Sequence, residues 1–429
     1  MSPDAPTTPS PARDAASLYE ALARGEGTAG DNGHVLFCVS TVDLSQGAGD
    51  LYVALGLAAA LHRAGWGVSF WPTERWDDVP EHRVDVAVVM IESFVPGLLA
   101  PSTATIAWVR NWTASWARLP YLNDFDGVWA SSEASARHLS SSYDGTIDLV
   151  PIGVDLDVFG PGAVPPVLRD MSVVTTANFW GAERKIQGAL DDLAERVPVD
   201  WFGANGDHLV RSPHITHHDR VDFFALPEVY ARSLLVVDDL IEPAREFGTH
   251  NSRIYEALAC GALPLVNTPD GLAELGLERL PTYDDAGSLS DVALGLLADP
   301  ERTEALVSSL SATVRERHSY DHRVDGAVAS IERARVRSGT RTSRPTMLTW
   351  ATLQQERLRR AVREGDGHLI TVRALEREIV GLRDEIGALQ NALLDTVGPL
   401  EELDELKSSK AYRALERYRR LRGQVGPHD

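Results

Sequence analysis

The chain repeats one device: a short, mainly apolar run of residues, then a loop of glycine or polar residues, then a helical pattern. Such runs stand at 34–39, 68–71, 84–91, 105–109, 128–131 and 147–152, and again at 172–176, 199–202, 234–238 and 263–267. A strand with one face in water alternates apolar and polar residues. A run without that alternation expects cover on both faces, which a parallel sheet between two helical layers provides. The class is therefore α/β. Ligands of open parallel sheets bind outside the carboxyl ends of the strands, so the loops there should carry the function.

The most informative of these loops lies at 245–267, which reads as a glycine-containing loop, a short helix and a buried strand. Asn251 suits an N-cap, Ile254 and Leu258 fall one turn apart, and Gly261 supplies a left-handed residue to end the helix after about two and a half turns. The residues after the cap, Ser252 and Arg253, present backbone N–H groups at the positive end of the helix, where a diphosphate binds. Glu256 lies four residues beyond Ser252 on the same face. An anion site with a carboxylate one turn away suits a nucleotide sugar, whose ribose diol donates to the carboxylate.

The run from Glu246 to Pro264 resembles the nucleotide-sugar signature of the glycosyl transferases group 1 superfamily. Its segment Asn251-Ser252-Arg253-Ile254-Tyr255-Glu256-Ala257-Leu258-Ala259-Cys260-Gly261 is most similar to the spore-maturation-protein branch. The segment 153–159 resembles the hinge motif that ends the first domain of these enzymes, and 317–323 their closing helix, so the similarity spans roughly residues 33 to 335. It implies two Rossmann-like domains facing a cleft, the GT-B fold, with a nucleoside diphosphate sugar as donor and no metal or other cofactor. It implies Glu256 at the donor ribose and the basic pair Arg184 and Lys185, at the first βα connection of the second domain, on the diphosphate. Retaining members carry another glutamate eight positions before the ribose glutamate. Here that position is Gly248, and the nearest upstream acid is Glu246, which becomes the stand-in at the donor sugar.

In the first domain the strand at 34–39 leads through Gly47 and Gly49 into an apolar helix at 51–63, the opening of a nucleotide-type βα unit. The missing third glycine excludes a dinucleotide fingerprint, and the two glycines are taken as donor-loop residues. Glu92, Arg110, Asn111, Trp112, Ser132 and Glu133 follow the ends of other strands. Arg110 beside Trp112 could grip a phosphate or stack on a sugar, and group 1 enzymes often present acceptor-side residues here. Trp108, Trp112, Trp116 and Trp129 are equally readable as core. Arg184 and Lys185 are equally readable as a solvated helix start. The pairs Asp124/Asp126 and Asp155/Asp157 match the metal mark of another transferase fold but lack its context.

Residues 1–32, rich in Pro, Ala, Ser, Thr and Gly, read as a disordered leader with a short helix near 15–24. The acceptor domain then covers 33–155, the nucleotide-sugar domain 156–337, a polar linker 338–347 and a helical extension 348–429. In the extension, Val372, Leu375, Ile379, Leu382, Ile386, Leu389 and Leu393 form a coiled-coil seam, suited to a homodimer through 372–393 or to packing on the body. A basic helix from Lys407 to Arg422 is suited to an anionic membrane or a partner, or is simply solvated. A net charge of −21 excludes a general nucleic-acid binder. Cys38 and Cys260 read as small buried hydrophobes in a reducing compartment, and the chain as cytoplasmic. The acceptor is expected to be a glycan, a lipid-linked group or a protein. A scaffold that kept the fold and lost turnover, and an epimerase of the same fold, stand as alternatives.

Overall fold

The computed structural model describes residues 11–178 apart from 77, 79 and 81, then 186–203, 213–340, 365 and 409–424. Two compact units divide the chain, 1–352 and 353–429. In the second lies the helix Lys410–Gln424. The coiled-coil seam expected at 372–393 lies outside the described residues.

The first unit holds two parallel sheets. One has six strands, β1 (His34–Val39), β2 (Gly67–Pro72), β3 (Val86–Val89), β4 (Ala104–Val109), β5 (Gly127–Ala130) and β6 (Ile147–Leu149), in the order β2-β1-β3-β4-β5-β6. The other has five, β7 (Met171–Thr176), β8 (Val199–Phe202), β9 (Ile215–His218), β10 (Ser233–Asp238) and β11 (Leu263–Val266), in the order β11-β10-β7-β8-β9. Every residue of β1, β3, β4, β5 and β11 is buried, as strands covered on both faces require.

Helices fill the connections: α1 (Pro11–Ala23), α2 (Gly49–Arg63), α3 (Thr113–Ala117), α4 (Glu133–Leu139), α5 (Leu156–Phe159), α6 (Ile186–Ala194), α7 (Leu226–Arg232), α8 (Glu242–Arg245), α9 (Ser252–Ala259), α10 (Ala286–Ala298), α11 (Pro300–Arg317) and α12 (Tyr320–Ser338). Two of them depart from the sequence expectation. Residues 11–23 are not a disordered leader but a helix on the body, because Ala15, Tyr19 and Leu22 fall on one face and are buried. Helix α12 follows the second sheet in sequence yet packs on the first: Trp129 Nε1 donates to Ser330 Oγ at 2.8 Å, and Ser330 Oγ to Asp148 at 2.6 Å. The residues placed in the second domain up to 337 therefore end in the first.

The chain crosses between the domains twice, side by side. Val154 N donates to His318 O at 2.9 Å, and Tyr320 N to Val154 O at 3.0 Å. Aromatic rings join the domains beside this hinge. Tyr52 of α2 stacks on Phe223 with centroids 3.9 Å apart, and Tyr19 of α1 packs against Phe223 and Phe224 while its hydroxyl donates to Asp155 at 2.9 Å.

Candidate active site

A cleft of about 640 Å³ opens between the domains at the carboxyl ends of both sheets. Helix α9 enters it amino end first. The helix forms because Ile254 and Leu258 bury one face, and it stops in a Schellman turn, with Gly261 N donating to Leu258 O at 3.0 Å and Ala262 N to Ala257 O at 2.9 Å. Gly261 has φ +86°, which a side chain rarely tolerates.

Asn251 holds the N-cap position with extended backbone, but its side chain makes no cap. It donates instead to Asp238 Oδ1 at 3.0 Å. The expected side-chain cap is thus absent, and the amino end of α9 faces the cleft without it. Arg253 also turns away from the role expected of it. Its Nη1 donates to Asp238 Oδ1, its Nε to Thr176 Oγ1 at 2.8 Å and its Nη2 to Thr176 O at 2.6 Å. Burial lowers the guanidinium's pKa, but Asp238, Tyr230 and Glu256 together outweigh this and raise it. Arg253 lines the cleft but anchors α9 to the ends of β7 and β10.

Glu256 is 7 % exposed and reaches the same cleft one turn deeper. Burial pushes its carboxyl up to about 7, against the hydrogen bonds from Ser252 and Tyr230 and the charge of Arg253. Ser252 thus serves the carboxylate. Across the cleft, Gly47 and Gly49 start the connection into α2, and both line the wall. Arg220 of the second domain donates to the Ser45 carbonyl and covers Gly47, where an added Cβ would sit 2.8 Å from its Nη1.

The comparisons with known proteins bear on this arrangement. Residues 182–329, which include α9, match the family model described as "Glycosyl transferase-like". The structure is similar to that of AviGT4, a glycosyltransferase involved in avilamycin A biosynthesis, at 15 % identity and a TM-score of 0.51, covering 71 % of this chain and 98 % of that one. The fold is GT-B. WaaG, a glycosyltransferase of lipopolysaccharide biosynthesis, is similar at 11 % identity and a TM-score of 0.49 over 69 % of this chain and 99 % of its own. Anabaena HepE, solved with UDP, is similar at 13 % and 0.45 over 69 % and 100 %. No curated protein matches the sequence.

Within this GT-B cleft the remaining expected residues separate. Glu246 is exposed at the end of α8 and is not among the cleft-lining residues, so the structure does not bring it to Glu256. Gly248, at the family's glutamate position, has φ +60°, and a Cβ there would lie 2.8 Å from Asp270 C and Gly271 N. Two loops touch backbone to backbone at that point, and no side chain fits. Arg184 and Lys185 lie outside the described residues.

Arg110 lines the cleft, donating from Nη2 to Met90 O at 3.2 Å, while its buried Nε has no hydrogen-bond partner. Burial lowers its pKa, opposed by Asp50, Tyr320 and Glu92. The four tryptophans divide: Trp108, Trp116 and Trp129 are core, whereas Trp112 is 43 % exposed and lines the cleft. Trp112 has φ +56°, the one positive φ outside glycine among the described residues. Such a backbone costs an L residue about 1–2 kcal/mol.

Sequence reasoning missed His250. It is 5 % exposed, lines the cleft and contacts Asp270 O through Nε2 at 2.8 Å. A carbonyl only accepts, so Nε2 carries the proton and Nδ1, which has no partner, is a bare lone pair. Burial lowers the imidazole's pKa and keeps this neutral form. The available signal was its place next to the N-cap Asn251. One aspartate of each pair is structural: Asp126 accepts from Thr105 N at 2.9 Å, and Asp155 caps α5.

Proposed function

We propose that the chain is a glycosyltransferase that moves a sugar from a nucleoside diphosphate donor to an acceptor. The observation that carries this reading is Glu256, a buried carboxyl one turn behind the uncapped amino end of α9, in a segment with glycosyl transferase-like sequence. The α9 amides take the diphosphate and Glu256 accepts from the ribose. In the reaction the bond from the anomeric carbon to phosphate oxygen breaks and one to an acceptor hydroxyl oxygen forms, the hydroxyl losing its proton. The α9 dipole, with Arg184 and Lys185, stabilises the leaving diphosphate without a metal. Configuration is retained, as the resemblance to the group 1 superfamily implies, although Gly248 leaves the usual sugar-side carboxylate position empty.

Cell-surface polysaccharide or glycoconjugate synthesis in the cytoplasm suits such a donor. The seam at 372–393 would give a homodimer, and the basic helix near the carboxyl terminus a contact with the inner membrane face. Among the described residues no helix is long and apolar enough to cross a membrane.

Incubation with a panel of nucleotide sugars, scoring free nucleoside diphosphate with and without acceptor, tests the reading. Release that rises with an acceptor is expected. Binding without release would make the chain a scaffold, and conversion of the donor sugar without release an epimerase.

A further inference from the structure

Trp112 is held in its left-handed backbone from both sides. Strand β4 ends three residues before it, and the residue after it, Thr113, is buried with Oγ1 2.8 Å from Ser135 Oγ. One turn on, Trp116 is buried edge-on to Phe125 at 6.0 Å. The chain must turn back into the body within three residues, and the turn leaves the indole in the mouth of the cleft. Asparagine or glycine would adopt this backbone with less strain, yet the position holds the bulkiest side chain. Strain kept at an exposed aromatic in a cleft points to a use for the ring. From the other domain Ile241, 38 % exposed, lines the same cleft ahead of α8, which packs against α3.

We propose that Trp112 is a stacking platform for a saccharide acceptor, its indole taking the C–H face of a pyranose ring with Ile241 on the opposite domain closing over it. The proposal rests on the transferase reading and adds the class of acceptor. The neighbouring polar groups favour a neutral sugar over other occupants. Glu92 and Arg110 line the same cleft and offer an acceptor and donors, and a polyhydroxylated ring uses both. A phosphate would meet the carboxylates of Glu92 and Asp50, which already balance the Arg110 charge. An alkyl chain would leave the guanidinium and carboxylate desolvated without partners.

The test uses the full-length protein, W112N and W112F. Methyl α- and β-hexopyranosides are titrated by saturation-transfer NMR, with octyl sulfate and inorganic pyrophosphate as controls, and unfolding temperature is recorded. W112N, which suits the left-handed backbone, is expected to unfold no lower than the parent while its Kd for the hexosides rises at least ten-fold. W112F should stay within about three-fold of the parent. With an active donor, acceptor KM should rise in W112N far more than kcat falls. Hexoside binding that is equal in parent and W112N would overturn the proposal, as would Trp112-dependent binding of octyl sulfate or pyrophosphate but of no hexoside. Failure of the transferase reading looks different: hexosides would bind through Trp112 while no nucleotide sugar releases its nucleoside diphosphate.

Discussion

The guanidinium of Arg253 and the carboxylate of Asp238 form a buried ion pair under the amino end of α9, with the Asp238 side chain fully out of solvent. Removing one partner of such a pair costs about 3–5 kcal/mol, because the other charge stays buried. R253A is therefore expected to lose that much stability in urea unfolding. An unchanged midpoint combined with lost nucleoside diphosphate binding would make Arg253 a phosphate ligand instead of an anchor.

Glu256 carries a pH signature. Its carboxyl, raised by burial to about 7 from an ordinary 4.5, favours the protonated folded form. The stability this contributes is fully present below pH 4.5 and is lost as pH rises towards 7, a span of about 3 kcal/mol. E256Q removes the titration, so its stability relative to the parent should rise across that window. Thermal unfolding of both proteins at pH 5 and pH 8 measures it.

Donor binding should respond oppositely. Ribose hydroxyls donate best to the ionised carboxylate, so affinity for a nucleoside diphosphate should fall below pH 7, and binding at pH 7 should release part of a proton. Calorimetry in two buffers of different ionisation enthalpy detects the release. E256Q should weaken binding roughly 10- to 150-fold, at about 1.5–3 kcal/mol for hydrogen bonds to a charged group.

Turnover should continue in excess EDTA within a few-fold of the untreated rate. Among the described residues no group of three or more His, Cys, Asp or Glu is placed to hold a metal, and Asp126 and Asp155 are engaged by Thr105 and Tyr19. Activity lost to EDTA and restored by manganese would refute this.

Y19F should cost about 1–3 kcal/mol, since it leaves a buried carboxylate of Asp155 short of a donor. Urea unfolding of the variant reads the loss, and a midpoint equal to the parent's would show that α1 contributes little to the hinge.

Most strands were legible because their runs are mainly apolar and β-branched, bounded by loops. Strand β9 was not, since Ile215-Thr216-His217-His218 has no such run and lies at a sheet edge. Helix α1 was obscured by small and polar neighbours around Ala15, Tyr19 and Leu22, whose spacing alone carried the signal. Glu256 and the helix around it could be read from local spacing, because cap, carboxylate and glycine lie within one short element. The fate of Arg253 could not, because its partners come from β7 and β10, far away in sequence. Nor could that of Glu246, two residues from a glycine whose backbone contact turns the loop. The tryptophans look alike in sequence, and only the left-handed turn at Trp112 separates the exposed one from the buried three.

The paired crossings at Val154 and Tyr320 make the second domain a cassette. Since Tyr320 N bonds to Val154 O, the first domain enters and leaves the cassette through adjacent backbone. A short bridge across that point would join β6 to α12 without crossing the sheet, and the first domain, with Arg110 and Trp112 in place, would keep all six of its strands. Conversely, a foreign donor half could be spliced between the same two residues. Under the proposed function, nucleotide specificity is in this sense a removable part, and the acceptor side is the chassis.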